Sequence, residues 1–303
     1  MDAEKMIMTG GIVNSASIMN KKRRLSDDIL LCVIYACAFL AVGLLLGIIG
    51  YVFYRGLREL SLDFLVTVQS PTKGIMGIAG NIVNTLYIIV LTLLVVTPIG
   101  VGGAVYLNEY AKPGKMVSIL EFTIETLTGI PSIIFGLFGN IFFGEVLGLG
   151  YSMLTGAFTL TIMVLPLIAR NTQEALRTVP MSYRSGALGI GATKWYMIRT
   201  ILLPSAMPGI LTGIILAIGR IVGESAALLF TSGSGFYLPK PGIGWINKLF
   251  ESGGTMTIEL YLQMAKGKYD VAFAIASVLL ILVLILNFLA KYLAGRFNVE
   301  NRK

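Results

Sequence analysis

Long uncharged apolar runs dominate the chain, interrupted by short polar stretches. Six runs are long enough to matter: residues 29–54, 82–107, 117–143, 151–169, 209–231 and 271–290. The first runs 26 residues without a charge, and the second is uncharged and broken by Pro98. The third carries Glu121 and Glu125 near its start and Pro131 in its middle. The fourth is uncharged with Pro166 near its end; the fifth carries Arg220 and Glu224; the sixth is clean. About 20 apolar residues cross a bilayer as a helix, and backbone facing lipid must satisfy its own hydrogen bonds. Each run therefore predicts a helix. Alternating segments of ~10 residues, the mark of a membrane barrel, are absent. The pattern predicts an all-α fold, a polytopic membrane helical bundle with six transmembrane helices.

Charge gives this bundle an orientation. With the N-terminus inside, residues 1–28, 108–116, 170–208 and 291–303 hold 16 basic residues, and residues 55–81, 144–150 and 232–270 hold 7. Cytoplasmic segments carry the excess of Lys and Arg, so both termini are expected in the cytoplasm of a multi-pass plasma or inner-membrane protein. The expected organisation is a cytoplasmic N-terminal segment 1–28, a six-span membrane domain 29–293 and a cytoplasmic tail 294–303. The Lys21-Lys22-Arg23-Arg24 run precedes an apolar stretch far longer than a signal-peptide core of ~7–15 residues, and reads as part of a retained anchor.

Composition narrows the chemistry. The 303 residues are 55% hydrophobic and 13% charged, with mean hydropathy +0.81. A soluble domain carries about 25% charged residues, so an ordinary cytosolic enzyme is excluded. The net charge of +8 is scattered between apolar runs rather than gathered into a nucleic-acid patch. Cys32 and Cys37 lie inside the first run and read as small core residues. There is no histidine, which removes imidazole catalysis and the common zinc motifs. No catalytic residue, metal site or cofactor is expected. No phosphate-binding loop of the G-x-x-x-x-G-K-[ST] type occurs, so ATP hydrolysis is expected in a separate subunit.

The longest inside segment, 170–208, is not loop-like. Residues 181–189 and 193–202 are helical in composition around a glycine break at 189–191. Ala187, Leu188, Trp195 and Ile198 are expected to form a small apolar surface amid Arg184, Lys194 and Arg199. Such a knob either fills a groove on a partner or lies flat on the membrane interface.

The run Arg184-Ser-Gly-Ala-Leu-Gly-Ile-Gly191-Ala-Thr-Lys-Trp195, with Ile201-Leu-Leu-Pro204 at the matching spacing, resembles the EAA loop of ABC importer permeases. The resemblance extends over most of the chain. Asn84-Thr-Leu-Tyr, Pro98-Ile-Gly-Val-Gly, Tyr106-Leu-Asn-Glu-Tyr110 and Gly129-Ile-Pro-Ser-Ile-Ile-Phe-Gly-Leu-Phe-Gly139 are similar to the permease subunits of phosphate ABC importers. So are Leu165-Pro-Leu-Ile-Ala-Arg170 and Gly219-Arg-Ile-Val-Gly-Glu224-Ser. The resemblance implies the MetI-like permease architecture, half of a translocation pathway for inorganic phosphate. It also implies partners: a homologous second permease, cytoplasmic ATP-binding subunits and an extracytoplasmic phosphate-binding protein, all around a membrane-lipid environment and without nucleic acid. Coupling to the ATPase would use Arg184, Ser185, Gly186, Ala187, Leu188, Gly191, Ala192, Trp195 and Pro204. Here the motif's glutamate falls on Ser185 and its first alanine on Gly186, so that position offers no carboxylate.

Three charges are candidates for the substrate path: Arg220, Glu224 and Arg170. Arg220 lies near the middle of the fifth run, where a charge costs roughly 2.5–3.5 kcal/mol on insertion scales. Glu224, four residues on, would share its helix face. The pair is either an ion pair that lets the helix insert or a guanidinium lining a pore, where its donor fork suits a tetrahedral oxyanion. Arg170 reads as a flanking anchor or a path residue. Glu121 and Glu125 either favour a helix start or pair with basic residues of a neighbour. Glycines at 129–139 and 209–219 predict close helix packing. The outer loop 232–270 is expected to dock the binding protein, with Trp245 as an interfacial anchor. Alternatives are a permease for another oxyanion such as sulfate or molybdate, or a polytopic membrane enzyme using Glu121, Glu125 or Glu224 as acid/base groups.

Overall fold

The computed structural model describes residues 25–70, 74–239 and 244–297. The Lys21–Arg24 run and Lys240 lie outside the described residues. The chain divides into two compact units, Met1–Tyr51 and Val52–Lys303. What is described of the first unit belongs to helix α1 (Leu25–Gly56), with Asp27 and Asp28 in its first turn, where a helix dipole favours acids. Its side chains are exposed from Asp27 to Ile48. Cys32 and Cys37 are exposed and free, not core residues, because no other described residue of the unit packs on the helix to give it an inside.

The second unit begins with a short helix α2 (Leu62–Val66) and a two-stranded antiparallel hairpin, β1 (Val68–Ser70) with β2 (Ile75–Ile78). Ser61 starts α2 by accepting from the Phe64 N–H. Helix α3 (Ala79–Val105) follows, and continues as a π-turn over Tyr106–Tyr110. Next come α4 (Lys115–Thr128) and α5 (Ser132–Gly139), the latter extended by a π-turn to Val146. Helix α6 (Met153–Thr178) is capped by Ser152, which accepts from the Thr155 N–H. Two short helices, α7 (Met181–Gly189) and α8 (Lys194–Met197), lead through a π-turn into α9 (Leu203–Gly223). Helices α10 (Ala226–Thr231), α11 (Gly244–Asn247), α12 (Met256–Ala265) and α13 (Tyr269–Phe297) complete the described chain.

Among the described residues, five helices are long and apolar enough to cross a membrane, and a sixth span exists if the bent pair Lys115–Thr128 and Ser132–Val146 counts as one. That pair was expected as a single run. It bends by 105°, because Gly129 ends α4 and Pro131 forces Ile130 and itself out of helical backbone before α5 starts. The fifth run also breaks: α9 stops at Gly223 and α10 restarts at Ala226. The fourth runs beyond its expected end at 169 to Thr178, since Asn171–Thr178 continues the helix until Val179, held extended by Pro180.

Helix α6 is the central element, packed between α3 and α9 with α5 and α10 alongside. Its Leu160, Val164 and Ile168 are completely buried against Ile88 and Val96 of α3, Phe135 of α5 and Ala217 and Ile221 of α9. Small residues permit this closeness. A Cβ at Gly136 would meet the Ala227 backbone at 2.8 Å, and one at Gly213 the Asn171 side chain at 2.7 Å. Gly219 and Gly129 face no such neighbour, so the packing role expected of both runs holds for part of each.

Candidate functional site

Arg220 sits on the outer stripe of α9. Ala206, Ile210, Gly213, Ala217 and Ile221 face the core. Ser205, Pro208, Thr212, Leu216, Gly219, Arg220 and Gly223 are exposed on the opposite side. Among the described residues no carboxylate pairs with Arg220. The expected face-sharing with Glu224 is not formed, because the helix ends one residue earlier. Glu224 has extended backbone (φ −81°, ψ 125°), and its carboxylate accepts from the Ala227 N–H at 3.0 Å, capping α10. Its own carbonyl accepts from the Thr257 hydroxyl at 2.8 Å. Glu224 therefore holds the break between two helices, and Arg220 is left without a partner among the described residues, in an otherwise uncharged helix.

Arg170 has different company. It approaches Glu174, one turn on, at 3.9 Å, and Arg177 approaches Glu121 of α4 at 3.4 Å. These side chains line a polar cavity of about 180 Å³ together with Glu125 and Gln173. Three acids against two guanidinium groups leave the cavity with a net negative charge. Glu121 thus pairs with a basic neighbour, one of the two roles expected of it, and the surroundings of Arg170 disfavour an anion. A second depression of about 320 Å³ lies between α6 and α9, lined by Asn171, Glu174, Ser205 and Thr212 among others.

The segment expected as a knob forms two short helices with a corner between them. Gly191 takes φ +85°, backbone that an L side chain rarely adopts, and the Thr193 hydroxyl accepts from the Tyr196 N–H to start α8. The apolar surface expected of four residues is divided. Ala187 and Ile198 turn inward and pack with Val105, Leu176, Met197 and Leu202. Leu188 and Trp195 are exposed, and Ile190 at the corner is 87% exposed. Ala192 is half-buried; Ser185 and Gly186 are exposed. The Ser185 hydroxyl is spent on the Met181 and Ser182 carbonyls. Pro204 falls in the first turn of α9, where a missing N–H costs nothing.

Arg184 is the root of the knob. It donates to the Leu176 carbonyl at 2.9 Å and the Val179 carbonyl at 2.8 Å, and its Nη2 lies 2.9 Å from a Glu109 carboxylate oxygen. Both side chains of this ion pair are buried, at 13% and 6% exposure. Asn108 also donates to Glu109 at 2.7 Å, and Lys194 lies 4.9 Å from the Tyr110 ring centre. The π-turn after α3 is thereby tied to α7 and α8. Tyr106–Tyr110 stands out in the sequence only through its resemblance, and Glu109 has no task legible there. Seventy-five residues separate it from Arg184, and no local pattern reports a pairing at that distance.

At the opposite end, residues 232–239 and 244–255 fold over α3 and α6. Asn81 and Asn84 donate to the Gly254 carbonyl at 3.0 and 3.2 Å, and Asn84 also reaches the Gly235 carbonyl at 2.9 Å. The Ser252 hydroxyl donates to the Ser232 carbonyl at 3.0 Å. Lys248 is 1% exposed and donates to the Tyr237 carbonyl at 2.9 Å. Burial lowers its pKa from that of an ordinary lysine, and Glu251, 3.9 Å away, opposes the shift.

Comparisons with known proteins bear on this arrangement. The family described as "Binding-protein-dependent transport system inner membrane component" matches residues 97–299. The "Probable ABC transporter permease protein YqgI" of Bacillus subtilis is 34% identical over 285 residues, covering 89% of this chain and 96% of the relative. The phosphate transport system permease protein PstA of Pasteurella multocida is 32% identical over 279 residues, covering 89% and 94%. That of Xylella fastidiosa is 32% identical over 251 residues, covering 82% and 85%. Among solved structures, a bacterial alginate ABC transporter in complex with its pentasaccharide-bound periplasmic protein superposes with TM-score 0.63 at 17% identity, over 91% of this chain and 95% of that one. An inward-facing methionine ABC transporter, MetNI, gives TM-score 0.55 at 22% identity, over 73% and 94%. These likenesses support the permease fold.

Proposed function

Because the chain belongs to the binding-protein-dependent transport system inner membrane component family and is a transport permease, we propose that its cargo is inorganic phosphate. Two relatives that it matches over most of its length carry phosphate transport in their names. The observation that carries the reading is the guanidinium of Arg220, without a partner among the described residues, on the small-residue stripe of α9. A cation inside a membrane demands compensation, and no acid among the described residues supplies it. A doubly or singly charged tetrahedral oxyanion passing along that stripe does, through the planar donor fork of arginine. Arg170, already surrounded by Glu121, Glu125 and Glu174, then serves to organise the inner end of α6 rather than to contact the anion.

The chain forms half of the pathway, paired with a homologous second permease. An extracytoplasmic phosphate-binding protein delivers the anion, and cytoplasmic ATP-binding subunits drive the cycle. Both termini lie in the cytoplasm. The exposed tip of α7 and α8, with Leu188, Ile190 and Trp195, seats in the ATPase. Its root at Arg184 and Glu109 passes the motion to α6 and α3. ATP acts only by favouring one pathway conformation over the other.

Phosphate uptake measured together with membrane abundance tests this. Arg220→Gln should abolish uptake at normal abundance, and Arg220→Lys, which keeps the charge and loses the fork, should lower it. Unlabelled phosphate should compete and sulfate or molybdate should not. Undiminished uptake by Arg220→Gln overturns the pathway role of this residue, and competition by the other oxyanions alone reassigns the cargo.

A further inference from the structure

We propose that residues 244–250 lie in the lipid–water interface at the end of the molecule opposite the knob, with Trp245, Ile246 and Phe250 in contact with phospholipid. Three observations carry this. The first is inverted polarity. A surface helix in water turns its apolar side inward and its lysine outward. Here Trp245, Ile246 and Phe250 are 48%, 62% and 59% exposed, and Lys248 is almost completely buried with its ammonium held by backbone carbonyls of Tyr237 and Ser252. Asn247, whose amide suits a headgroup layer, is the remaining exposed side chain of α11 beside Trp245 and Ile246.

The second observation is depth. The Tyr87 hydroxyl donates to the Trp245 carbonyl at 2.7 Å, and the two rings pack with centroids 6.0 Å apart. Tyr87 is the ninth residue of α3, so its Cα lies about 12 Å along that helix from the first residue at 1.5 Å rise per residue, and Trp245 packs on the side chain that leaves from there. That level lies within the charge-free run 82–107, not beyond the helix end. The segment has come back down beside the span. Tyr and Trp side by side at such a level are the composition of a membrane interface.

The third is continuity and rigidity. Leu86, Val90 and Leu94 of α3 are exposed, at one-turn spacing, beginning at the residue next to Tyr87. The aromatic segment prolongs an apolar surface that a bilayer covers. Its flanks are fixed: Gly235 and Gly254 accept from Asn84, and Ser252 bonds Ser232. The side chains are thus presented outward by a fixed frame.

The two tryptophans of the chain make the test direct. Trp195→Phe leaves Trp245 as the sole tryptophan of the full-length protein. That protein is reconstituted in phosphatidylcholine–phosphatidylglycerol vesicles whose acyl chains carry bromine near either the glycerol or the methyl end. Bromine near the glycerol end should quench Trp245 fluorescence severalfold more than bromine near the methyl end, and aqueous iodide should quench it little. The wild-type protein minus Trp245→Phe gives the same quantity without altering the knob. Strong iodide quenching with no effect of brominated lipid overturns the proposal and makes this face water-exposed. Protection of Trp245 from iodide by an added soluble binding protein overturns it in favour of a protein contact.

Discussion

The two ends of the α3–α6–α9 core carry loops of similar length held by different means. The segment between α10 and α12 is fastened by backbone. Asparagine amides of α3 hold its carbonyls, a buried lysine ties Tyr237 to Ser252, and glycines let it seat without clearance. A Cβ at Gly80 would strike the Phe236 carbonyl, and one at Gly253 the Met153 sulfur. The segment between α6 and α9 is fastened at one root, where Arg184 bonds two carbonyls and Glu109, while its corner stands free with Ile190, Trp195 and Leu188 exposed. A loop held at both of its described stretches moves with the helices beneath it. A lever held at its base and bare at its tip receives a push from outside. On the function proposed above, the moving contact belongs to the knob end of the chain.

The largest expected effect comes from cutting that root. Glu109→Ala leaves a buried guanidinium unpaired, which costs about 3–5 kcal/mol, and membrane abundance should fall sharply. Arg184→Ala should fall as far. Normal abundance and normal uptake in Glu109→Ala would show that the knob is held by its apolar underside alone, erasing the contrast between the two loops. Next comes the end held at both stretches. Gly80→Ala forces the backbone at Phe236 away from α3, an overpacking cost of about 1–3 kcal/mol. Amide exchange should accelerate through residues 232–239 and remain unchanged in α7 and α8. A uniform change at both ends would contradict the separate fastening. Smaller again is Gly191→Ala, where left-handed backbone gains a Cβ at about 1–2 kcal/mol. The corner should loosen locally with the spans intact, as judged by proteolysis there.

Much of this was legible in the chain. Charge-free runs located the spans, because a bilayer imposes one length and one polarity on every crossing. The glycine corner at 189–191 separated α7 from α8 as expected, since only glycine takes φ near +85° without strain. Misread features depend on neighbours distant in sequence or on a single residue's backbone. The period of a helix placed Glu224 under Arg220, but the helix stops at Gly223 and the carboxylate turns to cap α10. Periodicity describes a helix and does not say where it ends. Ala187 and Ile198 looked like surface because their own segment is basic, but they are covered by α3 and α6 residues. Glu109 carried no signal, as its partner lies in another motif.

The smallest expected effect on the fold is the most informative about coupling. Ile190 and Trp195 are 87% and 60% exposed and lie outside the buried clusters. Substitutions at such positions change stability by about 0.5 kcal/mol or less. Ile190→Ser and Trp195→Ala should therefore leave abundance and the amide exchange of the core unchanged. If the tip seats in an ATPase groove, those apolar side chains are buried only in the assembly, so the loss appears as association rather than folding. Each truncation should weaken co-purification of the ATP-binding subunit at least tenfold, and the pair together should abolish uptake. Glu109→Gln, by contrast, should lower uptake per bound ATPase while the subunit still co-purifies, since it softens the root and leaves the tip intact. Measuring abundance, bound ATPase and uptake on the same membranes separates the two. Loss of abundance in the tip variants would make the exposed residues structural. Normal ATPase binding in both would place the docking surface elsewhere on the chain.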